Sequence, residues 1–240
     1  MRTYALILLC FLLAGGISVK AQSTPQENSP KVNVGIKVGF NSTMFFIDHF
    51  LLGENELKDI QNNYKVGYFG AFFCRFNMKK HHFLQTELSY NISKGSVSIP
   101  SSLDNAALIA TNALVKTDIH SIDIPLLYGY KFIDAYPYGM AFFLGPKAAY
   151  VWEKHSKSEY SGFYQQYISE EIKPFTFSGV VGLSVNVLNI FFDFRYEIGW
   201  HDMVKSVSYA KELTDAPYDT QDISVKRRRN VLSFSVGVIF

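Results

Sequence analysis

What the chain has little of narrows its class before any motif is read. Of 240 residues only two are cysteine, Cys10 and Cys74. Cys10 sits within an apolar run, Ala5 to Leu13, that follows Met1-Arg2 and leads into Ala14-Gly15-Gly16 and Val19-Lys20-Ala21. This is the layout of a secretory signal peptide cleaved after Ala21. The mature chain then keeps one thiol, which excludes an intramolecular disulfide. The leader run is shorter than the ~20 residues of a transmembrane helix, and no other segment reaches ~18 consecutive apolar residues, so a helical membrane span is excluded. An excess of charge is missing too. The sequence carries 23 Lys and Arg against 21 Asp and Glu, and Arg2 and Lys20 account for the difference, so nucleic-acid binding by global charge is excluded. The adjacent His81 and His82 have no further ligands at metal-site spacing, so neither a metal nor a cofactor is expected.

What the chain has in abundance is aromatic residues, 21 Phe and 15 Tyr. They fall in segments that alternate with period two, the signature of a strand whose faces meet different surroundings. After a polar leader over residues 22–31, Val32, Val34, Ile36, Val38 and Phe40 alternate with Asn33, Gly35, Lys37, Gly39 and Asn41. The pattern recurs from Tyr64 to Phe76, Leu84 to Ile92, Ile122 to Phe132, Tyr138 to Trp152, Phe175 to Val187, Phe192 to Trp200 and Leu232 to Phe240. Short turns follow the second, fourth and sixth segments, near 77–82, 133–137 and 188–190. Long polar stretches follow the others, near 47–63, 94–118, 153–174 and 201–229.

Alternation alone also suits a soluble barrel with its apolar face inward. Here the apolar face carries Phe, Tyr, Trp, Leu and Ile, too bulky for an eight-strand lumen that side chains only just fill. The opposite face is mostly Gly, Ala, Ser, Thr and Asn, sizes that suit a narrow interior. The expected fold is therefore all-β: an eight-stranded antiparallel transmembrane β-barrel over residues 32–240, in the outer membrane, with short periplasmic turns and long extracellular loops. Tyr90, Tyr150, Trp152 and Trp200 sort toward the long-loop end, and Phe76, Phe132, Tyr138 and Phe240 toward the short-turn end, as interfacial girdles do.

"VGIKVGFNSTMF" in the first segment, "SIDIPLLYGYKF" in the fourth, "YGMAFFLGPKAAY" in the fifth and the terminal "FSVGVIF" resemble the PorT-like outer-membrane β-barrel proteins of Bacteroidota. The resemblance implies the barrel and its location, and a link to protein secretion with a secretion or envelope protein as partner.

On the inward register lie Lys37, Arg75, Lys131, Lys147 and Arg195 with Glu87, Asp123, Asp193 and Glu197. Buried charges must be paired or hydrated, so this set reads as a salt-bridge plug that holds the register, or else as a narrow gated channel. Lys226, Arg227, Arg228 and Arg229, before the last strand, read either as a grip on lipopolysaccharide phosphates or as a solvated basic rim that limits strand sliding. A lipid-modifying enzyme at the surface needs a nucleophile beside a base. His201, Asp202 and Ser206, or His155 and Ser156, are candidates, but neighbours on a strand face opposite sides. The expectation is a non-enzymatic outer-membrane protein that presents its loops, in contact with membrane lipid and lipopolysaccharide. The terminal Phe240, ending an alternating strand, is expected to mark the chain for the outer-membrane assembly machinery. Deleting Phe240 is expected to reduce the heat-modifiable folded band in outer-membrane fractions, and normal insertion of the truncated chain would contradict that role.

Overall fold

The computed structural model describes residues 30–79, 81–102, 105 and 108–240; the segment 1–21 expected to be a signal peptide and nearly all of the segment 22–31 expected to be a leader lie outside the described residues. Eight long strands form a ring: β1 (Val32–Leu52), β2 (Val66–Asn77), β3 (His82–Ile99), β4 (Ile109–Ala135), β5 (Tyr138–Val151), β6 (Phe175–Val187), β7 (Ile190–Gly199) and β8 (Ile223–Ile239). Each pairs antiparallel with its neighbours in sequence, and β8 returns to β1. The closing seam runs from Gly35 opposite Ile239 to Leu52 opposite Ile223, with one irregularity between Ile47 and His49. Closure leaves the ring without an edge, the condition for a sheet in hydrocarbon.

Both ends of the ring's chain lie on the short-turn side. Val32 stands opposite Phe76, and the Phe240 amide donates to the Val34 carbonyl at 2.8 Å. The outer surface carries the apolar face: Val34, Ile36, Val38, Phe40, Phe72, Leu88, Ile124, Leu126, Leu183, Phe194 and Phe234 are all exposed, as are the eight aromatics sorted above. A band this continuous has lipid as its solvent.

The strands differ in extent from the periodicity reading, and the difference is physical. β1, β3, β4 and β8 run well past the apolar band, and the segments read as polar loops contain further strands. Gln61–Tyr64 pairs with β3, Lys157–Phe163 with β4, and Ser169–Ile172 with Val204–Ser208. Above the band the alternation keeps its period but inverts. On β4 the outward positions change from Ile122, Ile124 and Leu126 to Lys116, Asp118 and His120, while the inward ones change from Ser121 and Asp123 to Val115 and Ile119. On β8 the outward set becomes Ser224, Lys226 and Arg228, and Ile223 and Val225 turn inward. Water replaces lipid outside, so the polar face goes out and the apolar face goes in. The result is a folded cap with its own core, including Phe45, Phe50, Ile99, Ile109, Val115, Ile119, Val151, Phe163, Met203 and Val225.

Inside the membrane-level barrel, toward the short turns, Phe73, Phe83, Leu127, Phe143 and Phe191 are buried. The rings fit because glycines lie beneath them. A Cβ at Gly129 would overlap the Phe83 ring, and one at Gly182 the Phe143 ring. Gly70, on the lipid face, has nothing within 4 Å of such an atom. Gly129→Val is therefore expected to destabilise the barrel by at least ~1–3 kcal/mol through overpacking, and Gly70→Ala to leave it as stable as the parent, both read from urea unfolding midpoints in detergent.

Candidate functional site

The interior at membrane depth is a polar network built from alternate residues of six strands. Lys37 on β1 reaches Glu87 on β3 at 2.8 Å and Asp193 on β7 at 3.4 Å. Arg195 forks onto Glu87 with both Nη atoms, at 2.9 and 2.7 Å, and donates to Asp193 at 2.6 Å. This is the bidentate geometry in which guanidinium and carboxylate pair most strongly. Gln85 extends the group by donating to Glu87 at 2.6 Å and accepting from Arg75 Nε at 2.7 Å, and the Arg75 guanidinium lies 4.5 Å from the centre of the Phe83 ring.

A second group stands on β4, β5 and β7. Lys147 bridges Asp123, at 3.0 Å, and Glu197. Asp123 also accepts from Ser121 at 2.6 Å and Asn91 at 3.1 Å, and Asn91 accepts from Asn41 at 2.9 Å. Between the two groups remains a cavity of about 20 Å³, bordered by Glu87, Arg195, Asp123, Lys147 and Glu197. That is room for about one water molecule.

Eight of the nine lumenal candidates thus lie in or against the network. Lys131 does not; it pairs with Asp134 at 3.5 Å near the β4–β5 turn, because by that height the strand has reached the rim. The neutral partners Asn41, Gln85, Asn91 and Ser121 were not singled out by charge. They share the inward parity of the charged residues, and that parity was the available signal.

The basic run divides in the same way, because alternation on β8 sends its members to opposite faces. Arg227 points inward and is buried, donating to both Glu170 oxygens at 2.7 and 2.8 Å and to Thr117 at 3.1 Å, with the Phe45 ring centre 4.5 Å away. Tyr160 donates to the same carboxylate at 2.8 Å, and burial together with Glu170 pushes its phenol far above the usual range, so it stays a neutral donor. Arg229 also turns inward, bordering a second cavity of about 20 Å³ with Ser178, Glu197 and His201. Arg228 faces out but is paired with Asp48 at 2.8 Å, and Lys226 faces water. Arg227 and Arg229 are therefore not on the lipid-facing rim.

The catalytic candidates do not assemble. Ser206 donates to Glu171 at 3.0 Å, Ser156 to the Trp152 carbonyl at 3.0 Å, and Asp202 accepts from the Arg227 backbone amide at 3.0 Å. Ser156 Oγ accepts from the His120 backbone amide at 3.1 Å, but among the described residues no hydrogen bond joins a serine hydroxyl to a histidine ring. Phe240 lies at the short-turn rim, half exposed on the lipid side.

A family model described as an outer membrane protein beta-barrel domain matches residues 20–205. The chain belongs to this outer-membrane β-barrel family. It is an outer-membrane protein, and the apolar belt is its lipid contact. Among solved structures it is similar to the outer membrane protein OprG from Pseudomonas aeruginosa, with 12% identity, a TM-score of 0.55, and 87% of this chain and 95% of that one covered. The attachment invasion locus protein Ail of Yersinia pestis aligns at 10% identity and a TM-score of 0.39, covering 88% of this chain and 100% of that one. At such identity the likeness to OprG speaks for the fold alone. No protein with a curated description matches the chain in sequence.

Glu87 holds two cations in a buried interior, so Glu87→Ala is expected to lower the unfolding free energy by ~3–5 kcal/mol, leaving Lys37 and Arg195 short of a partner. Glu56→Ala, which breaks an exposed 3.0 Å contact with His49, is expected to leave the midpoint unchanged.

Proposed function

We propose that this barrel is a non-enzymatic scaffold of the PorT-like type, holding a folded cap on the cell surface for an envelope or secretion partner. The observation that carries the reading is the filled interior. At membrane depth the lumen is occupied by paired charges and phenylalanine rings around water-sized cavities, and above it lies an apolar core. A solute passing through would have to break several buried ion pairs and then cross that core. Function then falls to the surface outside the bilayer, where rigid scaffolds commonly carry it.

The cap suits presentation because its segments are tied together. Arg227 on β8 clamps Glu170, and Glu170 holds Tyr160, so the segment between β5 and β6 is anchored to the wall of the barrel. The resemblance to PorT-like proteins supports a place beside secretion machinery, and the lipid-facing belt supports lipopolysaccharide as a neighbour. Photo-crosslinkers on the cap in intact outer membranes would identify the partner.

The scaffold reading expects no ion conductance from the purified barrel in planar bilayers above the protein-free baseline. Conductance steps that disappear in Arg195→Ala or Glu197→Ala would overturn it in favour of a small channel.

A further inference from the structure

On the outer wall of the cap, just above the apolar belt, a cleft of about 160 Å³ opens between β4 and the segment that follows β5, lined by Lys116, Asp118, His120, His155, Lys157 and Glu159. Its lower edge is a row of rings. Tyr90 Oη and His120 Nδ1 are 2.8 Å apart, the His120 and His155 ring centres 5.9 Å, and His155 packs edge-on to Trp152 at 4.7 Å. Tyr90 and Trp152 are exposed aromatics at the long-loop end of the belt. Amphipathic rings of that kind settle at headgroup depth, which places the cleft against the headgroup layer of the outer leaflet.

The charges favour an anion. Lys94 on β3 stands 4.0 Å from Asp118 and offsets it. Across the β4 ladder Lys116 is opposite Glu159, and Asp118 is opposite Lys157. Yet among the described residues neither Lys116 nor Lys157 has a carboxylate within 4 Å. Three lysines thus face two carboxylates before either imidazole is counted, and His120 keeps its Nε2 edge free of the Tyr90 contact. The basic run before β8 offers less, since Arg227 and Arg228 are already paired and Arg229 points inward.

We propose that this cleft binds a phosphate of a phosphorylated sugar headgroup in the outer leaflet, gripped by Lys116 and Lys157 from two strands with the imidazoles of His120 and His155 as added donors. Asp118 and Glu159 stand beside the lysines as acceptors for the sugar hydroxyls. An ammonium on each side of a phosphate forms charge-assisted hydrogen bonds, and their exposure makes the attraction sensitive to salt. The site rests on the membrane placement of the barrel and not on the scaffold reading. A conducting barrel would leave it intact, and loss of the site would leave the scaffold reading intact.

The test uses the full barrel in phosphatidylcholine nanodiscs doped with lipid A, with retained lipid A counted by native mass spectrometry. Lys116→Gln with Lys157→Gln is expected to reduce retention about tenfold or more. Both positions are surface-exposed, so heat-modifiable mobility should be unchanged, and Lys116→Arg with Lys157→Arg should restore binding. Lys226→Gln should retain lipid A like the parent, and dephosphorylated lipid A should not be retained. Undiminished retention by the glutamine variant, or equal retention of dephosphorylated lipid A, would overturn the proposal. Displacement of lipid A by millimolar inorganic phosphate would also overturn it, assigning the cleft to free phosphate.

Discussion

A backbone amide in hydrocarbon has no water to bond, and every other feature of this protein follows from how that requirement is met. The β1–β8 seam joins the two ends of the strand series, so that each ladder in the ring has a partner on both sides. Closing only eight strands gives a bore that side chains must fill. Small residues and glycines line it, phenylalanine rings enter where glycine permits, and the remaining space is polar. The charges within it must then be paired with one another, because one uncompensated charge there costs more than a surface ion pair contributes. Glu87 therefore serves Lys37 and Arg195 together, and Lys147 serves Asp123 and Glu197.

The same strands change solvent on leaving the membrane, and their alternation inverts. Below the boundary the fold turns an apolar face to lipid; above it, an ordinary soluble arrangement turns an apolar face to its own core. Lys116, Asp118 and His120 outside β4, with Val115 and Ile119 inside, mark the crossing as sharply as Ile122 and Asp123 do on the other side of it. The cap is thus a continuation of the barrel wall, cross-linked by the buried Arg227–Glu170 pair.

Most of the membrane-level fold was legible in sequence because lipid imposes a strict period of two. Strand number, turn placement and the inward parity of Glu87, Asp123, Asp193 and Arg195 all followed from that period. The cap was not, because the polar content of segments such as 94–118 and 201–229 suggests loops while the phase of their alternation carries the structure. Arg227 shows the limit clearly. Its neighbours make it look like one member of a basic rim, and only the parity of β8, with Glu170 brought across from a distant segment, reveals a buried anchor. Pairings between segments far apart in sequence, such as Lys37 with Glu87 or Arg195 with Glu87, depend on ring order and stagger, which no local pattern encodes. The phenylalanines inside the bore, Phe73 and Phe143 among them, were hidden by lipid-facing phenylalanines beside them at Phe72 and Phe142.

The central claim is that one continuous wall closes at the β1–β8 seam and remains folded beyond the bilayer. Amide hydrogen–deuterium exchange in nanodiscs tests it most directly, comparing residues 43–52 and 223–230 above the membrane with residues 36–41 and 231–238 within it. The account predicts comparably slow exchange in both sets, because both lie in the same hydrogen-bonded seam. Exchange of the upper set at the rate of unstructured loops would contradict it.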